Sequence, residues 1–466
     1  MDTIAAIVTS PGTAAVSIIR ISGDTSHEII QKISNIEDKD LSPGTFKLKW
    51  IIEKSNKEKA SFENKIDQAL ILNFKAPKSF TGEDVIEIQC HGGSWLSKKI
   101  LELCLENGAR LAKPGEFTER ALLNKKIDLS QAEGILDLIN SRTKLSGANA
   151  VNLYQGFLGQ KIKAMREALL KLLAELIACI DFPDEVDEYP AKKFTEKLSF
   201  TILDIEDILA SEKSGQILRE GFKVALAGKP NAGKSSLLNT LLRNERAIVT
   251  DIAGTTRDII EESMNLNGIP VVLTDTAGIR DSEDRVEKIG IELSKKAIQE
   301  ADLILWLEDV TRVENYEDFQ AELEELKKSF SDKDFIGIGT KVDLLNSSKV
   351  EDFNTDLNSA NFNLVISSES KVNIEELKDI IYNKANPELS SVADSCKVSI
   401  NSRQADLLRR SRESLIKALE SADNGMEHDF WTIDLKAAIA KLGEITGDDL
   451  TEEILDNMFS QFCIGK

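Results

Sequence analysis

Apolar positions along this 466-residue chain change their spacing several times, and each change predicts a different kind of element. Over residues 3 to 120, short runs such as Ala14 to Ile21 and Ile66 to Phe74 alternate with turn signals at Pro11-Gly12 and Gly92-Gly93, which predicts a small α+β domain. From about 129 to 220 the repeat lengthens. Leu158, Ile162, Met165, Leu169, Leu172, Leu173, Leu176 and Ile180 recur at three- and four-residue steps, with no glycine after Gly159, until Pro183 breaks the pattern. This is a long amphipathic helix. Strand-like runs then return at Phe222 to Ala227, Ile269 to Thr274 and Phe335 to Gly339. Helical spacing resumes at Ala405 to Leu408, Leu415 to Leu419, Ile433 to Leu442 and Leu450 to Phe459. Helices on both sides of an α/β segment most simply form one bundle with that segment inserted. The expected boundaries are 1–120 for the α+β domain, 121–215 and 386–466 for the two parts of an all-α domain, and 216–385 for the insert.

The insert carries the chemistry. Gly228-Lys229-Pro230-Asn231-Ala232-Gly233-Lys234-Ser235 follows the first strand-like run and precedes the helix-like stretch from Ser236 to Leu242. A glycine-rich loop in that setting turns backbone N–H groups of Asn231, Ala232 and Gly233 toward phosphate oxygens, Lys234 adds a point charge, Ser235 can reach magnesium, and Ser236 continues the helix start. A glycine-rich turn containing Lys-Ser by chance is the bland alternative, which the downstream motifs disfavour. Asp275-Thr276-Ala277-Gly278 closes the next strand, where Asp275 can hold magnesium through water and the Gly278 N–H meets a γ-phosphate. Between them, Gly254-Thr255-Thr256 offers hydroxyls for magnesium, Thr256 being the better ligand. Thr340-Lys341-Val342-Asp343 places a carboxylate, Asp343, where it can accept from guanine N1 and N2, donors that adenine lacks. Thr340 stands where Asn is usual and cannot match its amide. Ser367-Ser368 ends a last strand and covers the base. Together these motifs predict a Ras-like P-loop GTPase domain.

Ile279 stands directly after the Asp-x-x-Gly motif, where Ras-type enzymes place a water-orienting Gln. An isoleucine cannot hydrogen-bond water, and no arginine sits where it would mark a finger. Another polar group must serve, and Asp281, Glu283, Asp284 and Glu287 follow at once, although such a run is more often a solvated face.

A net charge of −21 argues against an extended basic groove for nucleic acid, so local patches or a partner would have to supply positive charge. Cys90, Cys104, Cys179, Cys396 and Cys463 are widely spaced and without Cys-x-x-Cys pairs, which indicates neither a disulfide framework nor a zinc site. No apolar run reaches the 18 or so residues of a membrane span, and Met1-Asp2-Thr3 carries no basic leader, so the chain reads as cytoplasmic.

Four further segments carry a resemblance: Thr81 to Glu87, Lys113 to Ala121, Gly443 to Gly447, and the terminal Phe459-Ser460-Gln461-Phe462-Cys463-Ile464-Gly465-Lys466. They resemble the bacterial and organellar MnmE (TrmE) family of tRNA-modification GTPases over essentially the whole chain. The resemblance implies an enzyme that works with the flavoprotein MnmG to add an aminomethyl or carboxymethylaminomethyl group at C5 of the tRNA wobble uridine, the tRNA being bound largely through that partner. It implies a homodimer made by the N-terminal domain, which also binds a tetrahydrofolate one-carbon donor. For the GTP site it implies Thr250, Asp251, Ile252 and Ala253 beside Gly254 and Thr255, with a potassium ion in place of the arginine finger, held by Asn231, Thr250, Ile252 and Thr255. It singles out Glu287 as the residue that orients the attacking water through a second water. Arg20, Glu87, Lys126 and Lys466 would contact folate, with charges suited to its carboxylates and pterin edge. Cys463 would lie near the one-carbon unit, although a lone Cys in an apolar tail is more often packing. A GTPase switch in ribosome or RNA assembly, without modification chemistry, is the competing class.

Overall fold

The computed structural model describes residues 2–37, 42–53, 65–243, 261–275, 297–312, 330–345, 362–386, 399–448 and 458–465, with a few further positions in 321–328 and at 455. They group into two compact units, Met1–Leu136 with Gly443–Lys466, and Asp137–Leu442.

The first unit contains β1 (Ile4–Ile7), β2 (Val16–Ser22), α1 (Ser26–Ile33), β3 (Phe46–Ile52), β4 (Lys65–Phe74), β5 (Val85–His91), α2 (Ser94–Glu106), β6 (Arg110–Leu111), α3 (Glu116–Leu123) and the start of α4 (Leu129–Asn140). The strands form one sheet in the order β3-β4-β5-β2-β1-β6, with only the β1-β6 pair parallel. Because side chains alternate across a strand, Ile19, Ile21, Ile86 and Ile88 share one face, where they pack with Ile29, Ile30 and Ile33 of α1 and Ile100, Leu103 and Cys104 of α2. Ile4 and Ala6 instead meet Phe117 of α3. The C-terminal segment returns to this unit, its Phe459 and Phe462 packing with Leu122 and Leu129.

Charge is buried here too. The Arg120 guanidinium, only 5 % exposed, donates to both Glu83 carboxylate oxygens at 3.1 Å, to Glu116 at 3.0 Å and to Asp2 at 2.7 Å. Arg110 joins the same Glu116 and Asp2. Burial pushes the Glu116 carboxyl up, but the bonds from Arg110, the Lys113 amide and Arg120 outweigh it and hold the group below its ordinary 4.5. A carboxyl lowered in this way stabilises the fold above that value, and the contribution is lost as pH falls below it.

The second unit continues with α5 (Lys144–Tyr154), α6 (Phe157–Asp181), α7 (Ala191–Leu209) and α8 (Glu212–Glu220). An α/β segment follows: β7 (Phe222–Gly228), α9 (Lys234–Leu242), β8 (Glu261–Leu266), β9 (Ile269–Asp275), β10 (Leu303–Asp309), β11 (Asp334–Thr340), β12 (Leu364–Val365) and α10 (Ile374–Ala385). Helix α11 (Ser402–Asp423) and α12 (His428–Thr446) up to Leu442 complete it. The amphipathic pattern ending at Pro183 is α6, whose buried Leu158, Ile162, Met165, Leu169, Leu172 and Leu176 form one stripe. The sheet order β12-β11-β10-β7-β9-β8 is parallel except for the β8-β9 hairpin, a doubly wound arrangement with β7 near its centre. Helices from both sides of the α/β segment pack on one another, as expected of an insertion. Phe194 of α7 stacks on Trp431 of α12 at 4.8 Å, Arg412 of α11 pairs with Glu206 of α7 at 2.6 Å, and Arg409 pairs with Glu212 of α8. Among the described residues, no helix is long and apolar enough to cross a membrane, and no group of three His, Cys, Asp or Glu side chains is placed to hold a metal.

Replacing Arg120 by Met would take the shared guanidinium from the half-buried Glu83 and leave the buried Glu116 to Arg110 alone, a change that costs about 3–5 kcal/mol. The expected outcome is faster hydrogen exchange of the α3 amides at pH 7, with the gap between variant and wild type narrowing as pH falls below 4.5.

Candidate active site

Strand β7 runs directly into the phosphate loop, and the fold explains why the loop begins with glycine. Gly228 has φ +141°, and a Cβ there would lie 2.1 Å from the Leu307 carbonyl oxygen of neighbouring β10. No larger residue fits at that crossing. The loop then turns through Asn231, whose φ is +64°, and Gly233 caps the N-terminus of α9. Lys234, the first helical residue, is buried, and its Nζ donates to the Gly228 carbonyl at 2.6 Å and the Lys229 carbonyl at 2.9 Å. The ammonium is thereby fixed inside the loop that the helix N-terminus faces, a cradle for phosphate.

Ser235 lies in the first turn of α9 and Asp275 ends β9; they meet because β7, whose loop leads into α9, pairs with β9 in parallel. The Ser235 hydroxyl donates to Asp275 Oδ2 at 2.7 Å. A hydroxyl and a buried carboxylate form a hard oxygen donor set that suits magnesium.

The base-side loop is tied to the same cradle. Thr340 is buried at the end of β11, and its hydroxyl is shared between the Ala232 carbonyl of the phosphate loop at 2.8 Å and the Glu308 carbonyl of β10 at 3.0 Å. The hydroxyl thus links the base-side and phosphate loops. Lys341 pairs with Asp309 at 2.7 Å, and Asp343, in the short 3-10 turn Val342–Leu344, is exposed. Burial pushes the Asp309 carboxyl up, but hydrogen bonds from Lys341 and Thr311 outweigh it and hold the group below its ordinary range. Ser367 is buried beyond β12 and accepts from the Ser370 amide at 3.1 Å, and the Ser368 carbonyl accepts from Thr240 of α9 at 3.3 Å. The β12 end thus reaches α9, the helix that follows the phosphate loop.

A second set of candidates gathers in the first unit. Arg20 of β2 and Glu87 of β5 are register partners in the sheet, and their side chains pair through Nε and Nη2 to Oε1, both at 2.8 Å. The Arg20 guanidinium also lies over the rings of Phe80 at 5.7 Å and Phe117 at 5.5 Å. Lys126 donates to the Pro77 carbonyl at 2.8 Å, in the same loop that carries Phe80. Cys463 is exposed, and its carbonyl accepts from the Gly115 amide at 3.4 Å. Gly465 has φ +99° and would place a Cβ 2.6 Å from the Ile7 carbonyl oxygen, so glycine is needed where the tail passes the end of β1. Elsewhere in this unit, burial pushes the Cys90 and Cys104 thiols up to about 11 and about 12.

Thr250, Asp251, Ile252, Ala253, Gly254, Thr255, Thr256, Thr276, Ala277, Gly278, Glu287 and Lys466 lie outside the described residues. Sequence reasoning did not single out Glu308, Asp309, Phe80, Phe117 or Arg120. Two acids closing an apolar strand, Glu308-Asp309, were the available signal for the first pair; the rest needed coordinates.

Comparison with known proteins adds the family. A model described as the MnmE helical domain matches residues 129–463, and one described as the GTP-binding protein TrmE N-terminus matches residues 3–126. The chain belongs to the MnmE family. The tRNA modification GTPase MnmE of Thermoanaerobacter pseudethanolicus is 43% identical over 471 residues, and that of Clostridioides difficile 43% over 476; each match covers 100% of this chain and 99% of the relative. The same-named protein of Bacillus mycoides is 41% identical over 468 residues, with the same coverage. The G domain of the T. maritima FeoB iron transporter is 26% identical, with a TM-score of 0.25, over 35% of this chain and 97% of that domain. At that score the fold assignment rests on the strand order and the loop geometry.

Thr340→Val removes the hydroxyl that joins the phosphate and base loops and leaves two buried carbonyls without it, which costs about 1–3 kcal/mol. The expected result is a corresponding rise in the Kd for a fluorescent guanine nucleotide, with Thr340→Ser close to wild type.

Proposed function

We propose that this MnmE-family chain is a GTP hydrolase that serves modification of the tRNA wobble uridine; the names of its relatives describe them as tRNA modification GTPases. The observation that carries the hydrolase reading is the convergence of Lys234, Ser235 and Asp275 at the start of α9, with Ser235 and Asp275 2.7 Å apart. In this reading the GTPase domain spans 216–385, between helical parts at 121–215 and 386–466, and the folate-binding domain spans 1–120.

Backbone N–H groups of Asn231, Ala232 and Gly233 and the Lys234 ammonium hold the β- and γ-phosphates, and Gly278 closes on the γ-phosphate. Asp343 reads guanine, with Lys341 beside it. Ser235 and Thr256 would hold magnesium, with Asp275 reaching it through water; Asn231, Thr250, Ile252 and Thr255 would hold potassium. Held there, the two cations would supply the positive charge that neutralises the transferring phosphoryl group, in place of an arginine finger. Glu287 orients the attacking water, the role that Ile279 cannot take.

In the first unit, Arg20, Glu87, Lys126 and Lys466 would hold a tetrahydrofolate derivative, which supplies the one-carbon unit, with Cys463 nearby. The Arg20-Glu87 pair beside the half-buried Phe80 ring supports this, since it offers both charges to the folate carboxylates and pterin edge. Homodimerisation through the same unit is supported by the outer face of β3, where Phe46, Leu48 and Trp50 are 66%, 58% and 37% exposed on alternate positions of an edge strand. The flavoprotein MnmG is the proposed partner and the source of much of the tRNA contact, which suits a chain of net charge −21, and the cytoplasm is the proposed compartment.

GTP turnover by the purified chain is expected to be on the order of a hundredfold faster in potassium than in sodium; equal rates would remove the potassium assignment. Glu287→Ala is expected to leave GTP affinity near wild type and to slow hydrolysis by on the order of a hundredfold. Mass spectrometry of tRNA from cells lacking the protein should show wobble uridines without the C5 substituent, and unchanged uridines would favour assembly work instead.

A further inference from the structure

Strand β10 is apolar along most of its length and ends in two consecutive acids, Glu308 and Asp309. Successive side chains of a strand leave on opposite faces, so the two carboxylates part company at the tip. Each finds a lysine from a different nucleotide loop. Glu308 Oε2 lies 3.6 Å from Nζ of Lys229 in the phosphate loop, and Asp309 Oδ2 lies 2.7 Å from Nζ of Lys341 in the base loop. Both acids are buried, whereas the Lys229 side chain is 54% exposed. The backbone at the same tip also takes part, because the Glu308 carbonyl accepts from the Thr340 hydroxyl that reaches Ala232.

A buried carboxylate beside an anion-binding loop works against that loop, since it repels phosphate and is costly to bury without a cation. Lys229 supplies the cation. The same lysine, drawn toward the strand tip, is drawn away from full engagement with phosphate. The two charges therefore act on bound nucleotide with opposite signs, through a pair that spans strand and loop.

We propose that Glu308 is a positioning residue that holds Lys229 at the tip of β10 and thereby sets how fast a guanine nucleotide leaves the phosphate loop. The proposal rests on the nucleotide-binding reading above and deepens it by naming a pair that controls release. Asp309 does the parallel work on the base side by fixing Lys341.

Release of mant-GDP from the full-length chain in magnesium buffer, chased with unlabelled GDP in a stopped-flow instrument, tests this. Glu308→Gln keeps the side chain's shape and is expected to slow release roughly three- to tenfold, the scale of one charge near a partly solvated anion. Lys229→Met is expected to speed release by a similar factor, the double variant to return near the wild-type rate, and Lys229→Arg to match wild type. A merely structural role for Glu308 predicts faster release in Glu308→Gln, and that result overturns the proposal, as do unchanged rates in both single variants. Lys229 is exposed enough for its variants to fold, so an unchanged rate in Lys229→Met overturns the proposal even if Glu308→Gln proves insoluble. Failure of the wild-type chain to bind mant-GDP would instead remove the underlying nucleotide reading.

Discussion

The close passage of β7 over β10 at Gly228 is the constraint from which the catalytic half of the molecule is built. A backbone that approaches the Leu307 carbonyl within the reach of a Cβ has no room for a side chain, so the chain must turn there with a glycine's φ. That turn brings the Lys234 ammonium back under its own loop, onto the Gly228 and Lys229 carbonyls. Charge that would be mobile on a surface lysine is instead held where phosphate is to bind, so little reorganisation is needed when it does. The Ser235-Asp275 contact and the Thr340 bridge both depend on this placement, because each joins the loop to a strand that is fixed only by the sheet.

The first unit solves a different problem, that of burying charge. Arg120 satisfies three acids from separate parts of the chain, and so ties the start of β1, the loop before β5 and helix α3 together. Such a network is stabilising only when complete. The Arg20-Glu87 pair on the same sheet is partly exposed, and its guanidinium lies over the Phe80 and Phe117 rings.

Much of this was legible in residue order. The α6 helix, the strands β7, β9 and β11, and the P-loop in its strand-loop-helix setting follow from hydrophobic period and from glycine spacing, which are local properties of the backbone. The terminal Phe-Cys-Ile-Gly-Lys pointed to the family that the comparisons then established. Other features were not legible. The value of Thr340 lay in a carbonyl 108 positions away.

What the amino-acid order determined by itself was the set of elements and the kind of ligand, because periodicity and short motifs act within a few residues. Only the tertiary structure decided which charges face one another: Glu308 with Lys229, Asp309 with Lys341, Arg20 with Glu87, Arg120 with Glu83. Electrostatic partners are chosen by distance in space, and that distance is set by sheet order and register, which no local run of residues contains.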